Sequence, residues 1–467
     1  MDQRWNSSMV ETQSANASPS PEGRKVVIVG GGPTGTLAAL YLAQMGWQVF
    51  VYERRSADFR VSSNRRSFNI ILSRRGQKAL KDIGVELLPE KQVFLQGNVR
   101  HTAKGANLGK GFQDAVSVDR TTLAQCLIEE GQHRFPENIQ YHFDQTLLQV
   151  NFQDKTALFQ GKQDQHQQTF DLLIGADGVY STVRASMESQ IQGFEVQQNQ
   201  DNMMYKICDL GFAKDLPGAE EKWAESFHAW PNAQPLTLLA PPSTDGSLKG
   251  VLILPQVGDI TYETLQSEAD ILALFQEKFP DFFPNLDQTG LPSQFAQDLL
   301  SQKAAHGGIT TQCNRFEGSD CVVLLGDAAH SVWPSLGQGC NVALESCRIF
   351  AEILAQTKGD LSRALPAYTE ARKPDTDAVA QLSEIGFGGN KRASSLLFIS
   401  KVVILMFLHK LLPRWFQKYA LFQLGDADVP YSKIWQQVQR QNSQLRLVLT
   451  TLIVSIPVIW LVVVRIA

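Results

Sequence analysis

The chain has 467 residues, a formal net charge of −4, and 43% hydrophobic against 19% charged residues. At roughly 100–200 residues per domain that length holds two to four structural units, and the composition excludes a disordered chain, a collagen and a disulfide-stapled miniprotein. A net-negative chain lacks the basic surface needed to neutralise a phosphate backbone, so no nucleic-acid partner is expected.

Residues 1–23 are rich in Ser, Gln, Asn and Pro and carry no apolar core, which predicts a disordered leader rather than a secretory signal. Next, 25–29 form a short β-branched run, glycines follow, 36–45 have helical character and 49–52 read as a second strand. That is the βαβ opening of a doubly wound sheet. Its turn reads Gly30-Gly31-Gly32-Pro33-Thr34-Gly35, and Glu53 ends the second strand. Between a strand and a helix, this spacing is the fingerprint of a dinucleotide site. Gly30 permits the tight turn, Gly32 lets backbone approach a pyrophosphate, and Gly35 lets helix and strand pack closely. The phosphates then sit at the positive end of the helix, and Glu53 accepts from ribose hydroxyls. Thr34 and Arg54 fall inside the same fingerprint and are counted with it. At this point the ligand is NAD or FAD.

Further along, Arg120 stands at the start of a helix, where it can pair with a pyrophosphate. The stretch 171–184, DLLIGADGVYSTVR, places Asp177-Gly178 after an apolar strand and Arg184 shortly beyond. Pro-bounded β-type runs such as 236–239 and 251–254 mark an inserted, mostly antiparallel sheet. The stretch 322–341, VVLLGDAAHSVWPSLGQGCN, ends a strand at Gly326-Asp327 and breaks the chain at Gly337 and Gly339 before a helix that leads to near Arg372. An Asp at a strand end can accept from a ribityl hydroxyl, and a helix N-terminus can face the developing negative charge of a flavin ring. Trp333 and Pro334 are expected in the pocket wall, and His330 as a hydrogen-bonded histidine at a helix start. No G-x-S-x-G elbow and no H-E-x-x-H helix occurs, so no hydrolase or zincin chemistry is expected and no catalytic acid, base or metal ligand is assigned. Cys126, Cys208, Cys313, Cys321, Cys340 and Cys347 show no C-x-x-C spacing, which points to reduced thiols.

Two apolar stretches close the chain. Residues 396–412 are interrupted by Lys401, His409 and Lys410 and read as a core or interfacial helix. Residues 447–464 are 18 uncharged positions between Arg446 and Arg465, about 27 Å of helix, and are expected to span a membrane once. Lys433, Arg440 and Arg446 ahead of them favour a cytosolic catalytic body.

These segments, in this order, resemble the single-component (group A) FAD-dependent aromatic monooxygenases from about residue 25 to 372. The resemblance implies an α/β, Rossmann-like FAD-binding domain in two parts, 24–200 and 309–385. A β-sheet substrate domain at 201–308, a helical region at 386–443 and the anchor at 444–467 complete it. It implies FAD as cofactor, NADPH (or NADH) and O2 as co-substrates, and a small aromatic or apolar substrate. Gly30, Gly32, Gly35 and Glu53 would hold the ADP half, Arg120, Gly326 and Asp327 the pyrophosphate and ribityl, and Pro334, Gly337, Gly339 and Asn341 the isoalloxazine. Asp177, Gly178 and Arg184 would serve FAD and NADPH.

Within that family, 66–81, 227–232 (FHAWPN) and the G-Q-G-C-N run look most like the kynurenine 3-monooxygenases. Those enzymes hold an amino-acid carboxylate with an Arg and a Tyr. The corresponding stretch here, 96–109, has no Tyr and places Arg100 slightly out of register. The segment 384–392, EIGFGGNKR, keeps no Tyr either. The expected activity is therefore hydroxylation of an aromatic substrate by a kynurenine 3-monooxygenase-like enzyme with an altered pocket. The alternative is an FAD-dependent epoxidase or other oxidase of an apolar, membrane-soluble substrate. A non-catalytic carrier built on this fold would lose the FAD-contacting motifs, which all stand here.

Overall fold

The structure, a computed structural model, describes residues 23–57, 68–102, 104–112, 114–230, 236–280, 291–385, 396–417 and 419–466, with backbone alone at 291–293, 396–399, 448–449 and 452–466. The expected leader lies outside the described residues apart from Gly23, as does most of the segment 384–392.

A six-stranded sheet runs in the order Glu317–Gly318, Val322–Leu324, Leu172–Gly175, Lys25–Val29, Gln48–Tyr52, Ile139–His142. All its pairings are parallel except that of the short edge strand Glu317–Gly318. Parallel strands joined by helical crossovers are covered on both faces, which is why VVIV and LLIG are unbroken apolar runs with every residue inside. The helix Pro33–Gln44 follows the same logic. It is apolar all round, and Gly35 through Ala43 are buried between the helices Arg120–Arg134 and Gly339–Gln356. Phe159, from the antiparallel strands at 146–169, stacks on Tyr52 with ring centroids 3.8 Å apart, closing the other side.

The second sheet has seven strands, ordered Ala305–His306, Met203–Phe212, Ser247–Pro255, Thr237–Ala240, Ser226–Trp230, Gly97–Thr102, Gly105–Gly109. It is antiparallel except where Ser226–Trp230 runs parallel to Gly97–Thr102. The expected inserted sheet is thus present, and it recruits two strands from 97–109, well ahead of the 201–308 segment. One face packs on the helices Glu268–Lys278 and Leu291–Ser301 through Trp223, Trp230, Leu252, Leu254, Phe275 and Phe279.

The helical region after the Gly326-Asp327 strand end continues to Glu384 rather than ending near Arg372, in spite of Pro366 and Pro374 inside its last helix. That helix, Leu361–Glu384, packs on the C-terminal helix Tyr431–Ile466. A small cluster of Leu405, Phe416, Tyr419 and Leu445 pins the helix Leu396–Leu411 beside it. Among the described residues no helix is long and apolar enough to cross a membrane. The expected single membrane span at 447–464 is therefore not found among them. The backbone at 447–464 is helical, but its side chains at 448–449 and 452–464 lie outside the described residues.

Candidate functional site

The three motifs meet because their strands are neighbours. Lys25–Val29, Leu172–Gly175 and Val322–Leu324 lie side by side in parallel register, so Gly30, Asp177 and Asp327 all emerge from the same, carboxyl edge of the sheet. That crevice is where open α/β sheets take their ligands.

The fingerprint turn is built on close contacts. Gly30 has φ +109, and a Cβ there would lie 2.3 Å from the Ala176 carbonyl oxygen. A Cβ at Gly35 would lie 1.9 Å from the Gly30 carbonyl oxygen. Gly32 differs, because a Cβ there would meet no atom within 4 Å. Its backbone faces open space at the N-terminus of the helix Pro33–Gln44, the position a phosphate needs. Gly326, at φ +61, sits against Thr34, whose Oγ1 would be 2.8 Å from a Cβ there. Thr34 thus joins the first motif to the last.

Glu53 accepts the Gly31 amide at Oε2 (2.8 Å) and the amide and Nε of Arg55 at Oε1 (2.9 Å each). Burial would raise its carboxyl, but the Arg55 hydrogen bonds and charge and the Gly31 amide outweigh it and hold the group below the usual carboxylate range. Arg54, counted with the fingerprint from sequence, is exposed. Its neighbour Arg55 makes the ion pair, a partner sequence reading missed, because which of two adjacent arginines turns inward depends on the bend after the strand.

Arg120 opens its helix with its guanidinium 5.6 Å from the Phe68 ring centroid. Its charge reaches Asp327, Cys340 and Tyr205. Burial raises the Asp327 carboxyl and Arg120 opposes the rise. Burial pushes the Cys340 thiol up to about 12, with Asp327 adding to the effect and Arg120 reducing it. Burial likewise raises the Tyr205 phenol, and Arg120 again opposes it. Arg120, Asp327 and Cys340 of the nucleotide-binding part therefore share one electrostatic neighbourhood with Tyr205 of the seven-stranded sheet.

Two predicted residues have structural partners. Asp177 Oδ2 accepts the Thr182 amide at 2.7 Å and so caps the helix that carries Arg184. Arg184 donates to the carbonyls of Ala328 (2.8 Å) and Val179 (2.6 Å), bracing the short helix that Asp327 begins. Gly178, at φ +83, faces open space.

The junction between the helix Gly339–Gln356 and the loop before it is held from several sides. Asn341, fully buried, accepts from the Ser73 amide (2.9 Å) and hydroxyl (3.1 Å) and donates to Ile71 O (2.9 Å) and Gly337 O (3.0 Å). Gly308 packs against Trp333 and Pro334, bringing the second sheet to this wall. His330 is buried with Nε2 3.0 Å from Ser346 Oγ. Burial and Arg372 lower its pKa to about 3, so it stays neutral; it is hydrogen-bonded as expected, but it ends the short helix Asp327–His330 rather than starting one.

The face of the seven-stranded sheet that carries Tyr205 is read off the register. Tyr205, Ile253 and Thr237 stand opposite one another, as do Ile207, Val251, Leu239, Ala229 and Arg100, with Phe227 beside Asn98. It is a mainly apolar wall whose charges are the exposed Arg100, on the strand next to the edge, and the Asp209–Lys249 ion pair at the far end of its central strands.

An FAD fits this cradle. Cβ atoms at Gly32 and Gly337 would meet nothing within 4 Å, and one at Gly339 only Val332 at 3.9 Å. Arg120 and Asp327 supply a cation and an acceptor between these ends, and Trp333 Nε1 is buried without a partner among the described residues.

The FAD binding domain family matches residues 24–383. A kynurenine 3-monooxygenase of Salinispora arenicola is 31% identical over 435 residues, covering 90% of this chain and 92% of that protein. A violacein synthase of Chromobacterium violaceum is 29% identical over 437 residues, covering 90% and 98%. The tetrameric form of 2-methyl-3-hydroxypyridine-5-carboxylic acid oxygenase superposes with a TM-score of 0.62 at 22% identity, covering 77% of this chain and 90% of that one. At that identity the likeness is one of fold.

Proposed function

This chain belongs to the FAD binding domain family, among the group A FAD-dependent monooxygenases, and we propose that it hydroxylates an apolar aromatic compound rather than an aromatic amino acid. FAD is its cofactor and NADPH its reductant. When bound, the flavin supplies the electron and oxygen chemistry that places one atom of O2 on the substrate.

This chain's residues bind, orient and keep water out. Gly32 and the helix behind it would hold the pyrophosphate with Arg120, Glu53 the ribose, and Asp327 the ribityl chain. The N-terminus of the 18-residue helix Gly339–Gln356 points its positive end at the loop that would face the flavin ring. His330 stays neutral and burial raises the Cys340 thiol, so neither adds a charge beside Arg120 and Asp327.

The apolar wall of Ile253, Leu239, Val251, Ala229 and Phe227 carries the substrate reading. An amino acid brings a carboxylate and an ammonium, and each costs several kcal/mol to desolvate without a partner. Among the described residues of that wall the charges are Arg100, which is exposed, and Asp209 with Lys249, which pair with each other. Relatives of near-equal identity include both a kynurenine 3-monooxygenase and a violacein synthase, so overall similarity does not select the amino acid. Epoxidation of an apolar double bond is the second reading, since the same wall suits it.

A lipid surface is the second element of the proposal, with the catalytic body on the cytosolic side. Met406, Phe407, Leu411, Trp415 and Leu447 are exposed apolar side chains around the small cluster that packs the helix Leu396–Leu411 on the C-terminal helix. The stretch 385–425 has no Asp or Glu and carries Lys391, Arg392, Lys401, Lys410, Arg414 and Lys418, a composition suited to an anionic bilayer.

The experiment is NADPH oxidation by the purified FAD-loaded chain against a panel of apolar aromatics, with product mass analysis. The expected result is stimulated turnover and a product heavier by one oxygen atom. Stimulation only by charged amino acids would overturn the substrate reading.

A further inference from the structure

The C-terminal helix begins under the flavin-facing loop. Its first residue, Tyr431, is fully buried and donates its hydroxyl to Gln338 Oε1 at 2.8 Å. Gln338 stands between Gly337 and Gly339, caps the helix Gly339–Gln356 and is itself buried. Its Nε2 donates back to Leu336 O at 3.2 Å, so the side chain that Tyr431 holds also spans the loop. Gly337 is in the left-handed region at φ 62, which glycine adopts without strain.

Tyr431 is fixed in turn. The Arg75 guanidinium lies over its ring, 4.0 Å from the centroid. Arg75 donates to Leu424 O at 2.9 Å and to Val429 O, on the segment leading into the helix, and pairs with Glu345 at 2.8 Å. Ser432 donates its amide to Asp375 at 2.9 Å. The head of the helix is therefore clamped to the helices that follow the loop. Burial and the nearby Glu345 keep the phenol protonated, a donor throughout the working pH range.

We propose that Tyr431 is a positioning residue: through Gln338 it sets the conformation of the loop at 337–341 and so the seat of the isoalloxazine. The proposal rests on the FAD reading only for what the loop faces. A side chain kept merely for packing would need the ring, already satisfied by Arg75 and its neighbours. The hydroxyl is directed at one acceptor in the loop. The same helix runs without a break from Tyr431 to Ile466, about 54 Å at 1.5 Å per residue. Leu447, in the face proposed to meet lipid, and the support of the flavin loop thus lie on one continuous helix.

Tyr431→Phe keeps the ring and removes the donor, and Gln338→Met removes the acceptor. Both are made in the full chain, with Tyr419→Phe as control, since the Tyr419 hydroxyl is buried without a partner among the described residues. Amide hydrogen exchange at 335–341 is read in the apoprotein, and FAD affinity and the visible spectrum by titration. Each single variant is expected to speed exchange at the loop several-fold, weaken FAD several-fold and shift the flavin spectrum. The double variant should add little to either single one, because the two groups act as one bond. The control should leave all three unchanged. Wild-type loop exchange in both variants overturns the clamp. Faster exchange with unchanged FAD affinity and spectrum overturns the positioning role. A wild-type chain that takes up no FAD would fail the proposed function separately, and the exchange data would still decide the clamp.

Discussion

Asn341 takes both the amide and the hydroxyl of Ser73 on its single carbonyl oxygen, at 2.9 and 3.1 Å. An asparagine that family resemblance places against the flavin ring is thus committed to fastening the flavin loop onto the junction between the strand Asn69–Leu72 and the helix Arg74–Asp82. Its amide group completes the fastening on Ile71 O and Gly337 O. Asn341→Leu strands these groups in the interior and should cost about 1–3 kcal/mol. It should also weaken FAD retention. Chemical denaturation of the apoprotein and FAD titration measure the two effects. Unchanged stability would contradict the fastening role.

Two glycines of one turn should respond in opposite ways. A Cβ at Gly32 meets nothing within 4 Å, whereas one at Gly35 collides with the Gly30 carbonyl at 1.9 Å. Gly32→Asp should give a folded chain that no longer binds FAD, because a carboxylate then occupies the phosphate position. Gly35→Ala should lower the melting temperature of the apoprotein itself. A yellow, FAD-replete Gly32→Asp variant would remove the phosphate assignment.

Asp327→Ala should leave the fold intact and loosen FAD about tenfold or more, the worth of one hydrogen bond to a charged group. Flavin release on dilution reads this directly, and an unchanged dissociation constant would refute the ribityl role.

Acid should act on His330 before it acts on the carboxylates. Its folded pKa of about 3 lies below the ordinary 6.5, so as pH falls below 6.5 the unfolded chain takes up a proton that the native state refuses. Stability should then drop by up to about 1.4 kcal/mol per pH unit from this group. Glu53 and Glu345 are held below the usual carboxylate range, so their contribution is lost only at lower pH. His330→Gln, which keeps a partner for Ser346, should flatten the stability profile between pH 6.5 and 4.5 as measured by denaturant titration. A profile parallel to wild type would contradict the buried neutral imidazole.

Much of the nucleotide site is legible in sequence because backbone chemistry dictates it locally. The turn at 30–35, the acidic end of the second strand and the Gly326-Asp327 strand end each need particular residues at short range. What the sequence hides is long-range. The seven-stranded sheet borrows 97–109 through a parallel pairing that no local pattern announces. Arg75 finds Glu345 across 270 positions and Tyr431 finds Gln338 across 93. Neither link has a spacing rule, since buried polar partners are fixed by packing rather than periodicity.

The proposed lipid contact lies on the exposed face that holds Phe407 and Trp415, so Phe407→Ser combined with Trp415→Ser should weaken vesicle binding with FAD still bound. Sedimentation with phosphatidylserine-containing vesicles reads the outcome. Unchanged pelleting would contradict that contact.

The most direct test of the substrate claim is L-kynurenine itself. The FAD-loaded chain is mixed with NADPH in air, with and without L-kynurenine, and both NADPH consumption and product mass are followed. An apolar pocket predicts FAD-dependent NADPH oxidation that L-kynurenine leaves unstimulated, and no oxygenated kynurenine. Stimulated turnover with kynurenine gaining one oxygen atom would contradict it and show that the wall of Ile253, Leu239 and Phe227 still reads an amino acid.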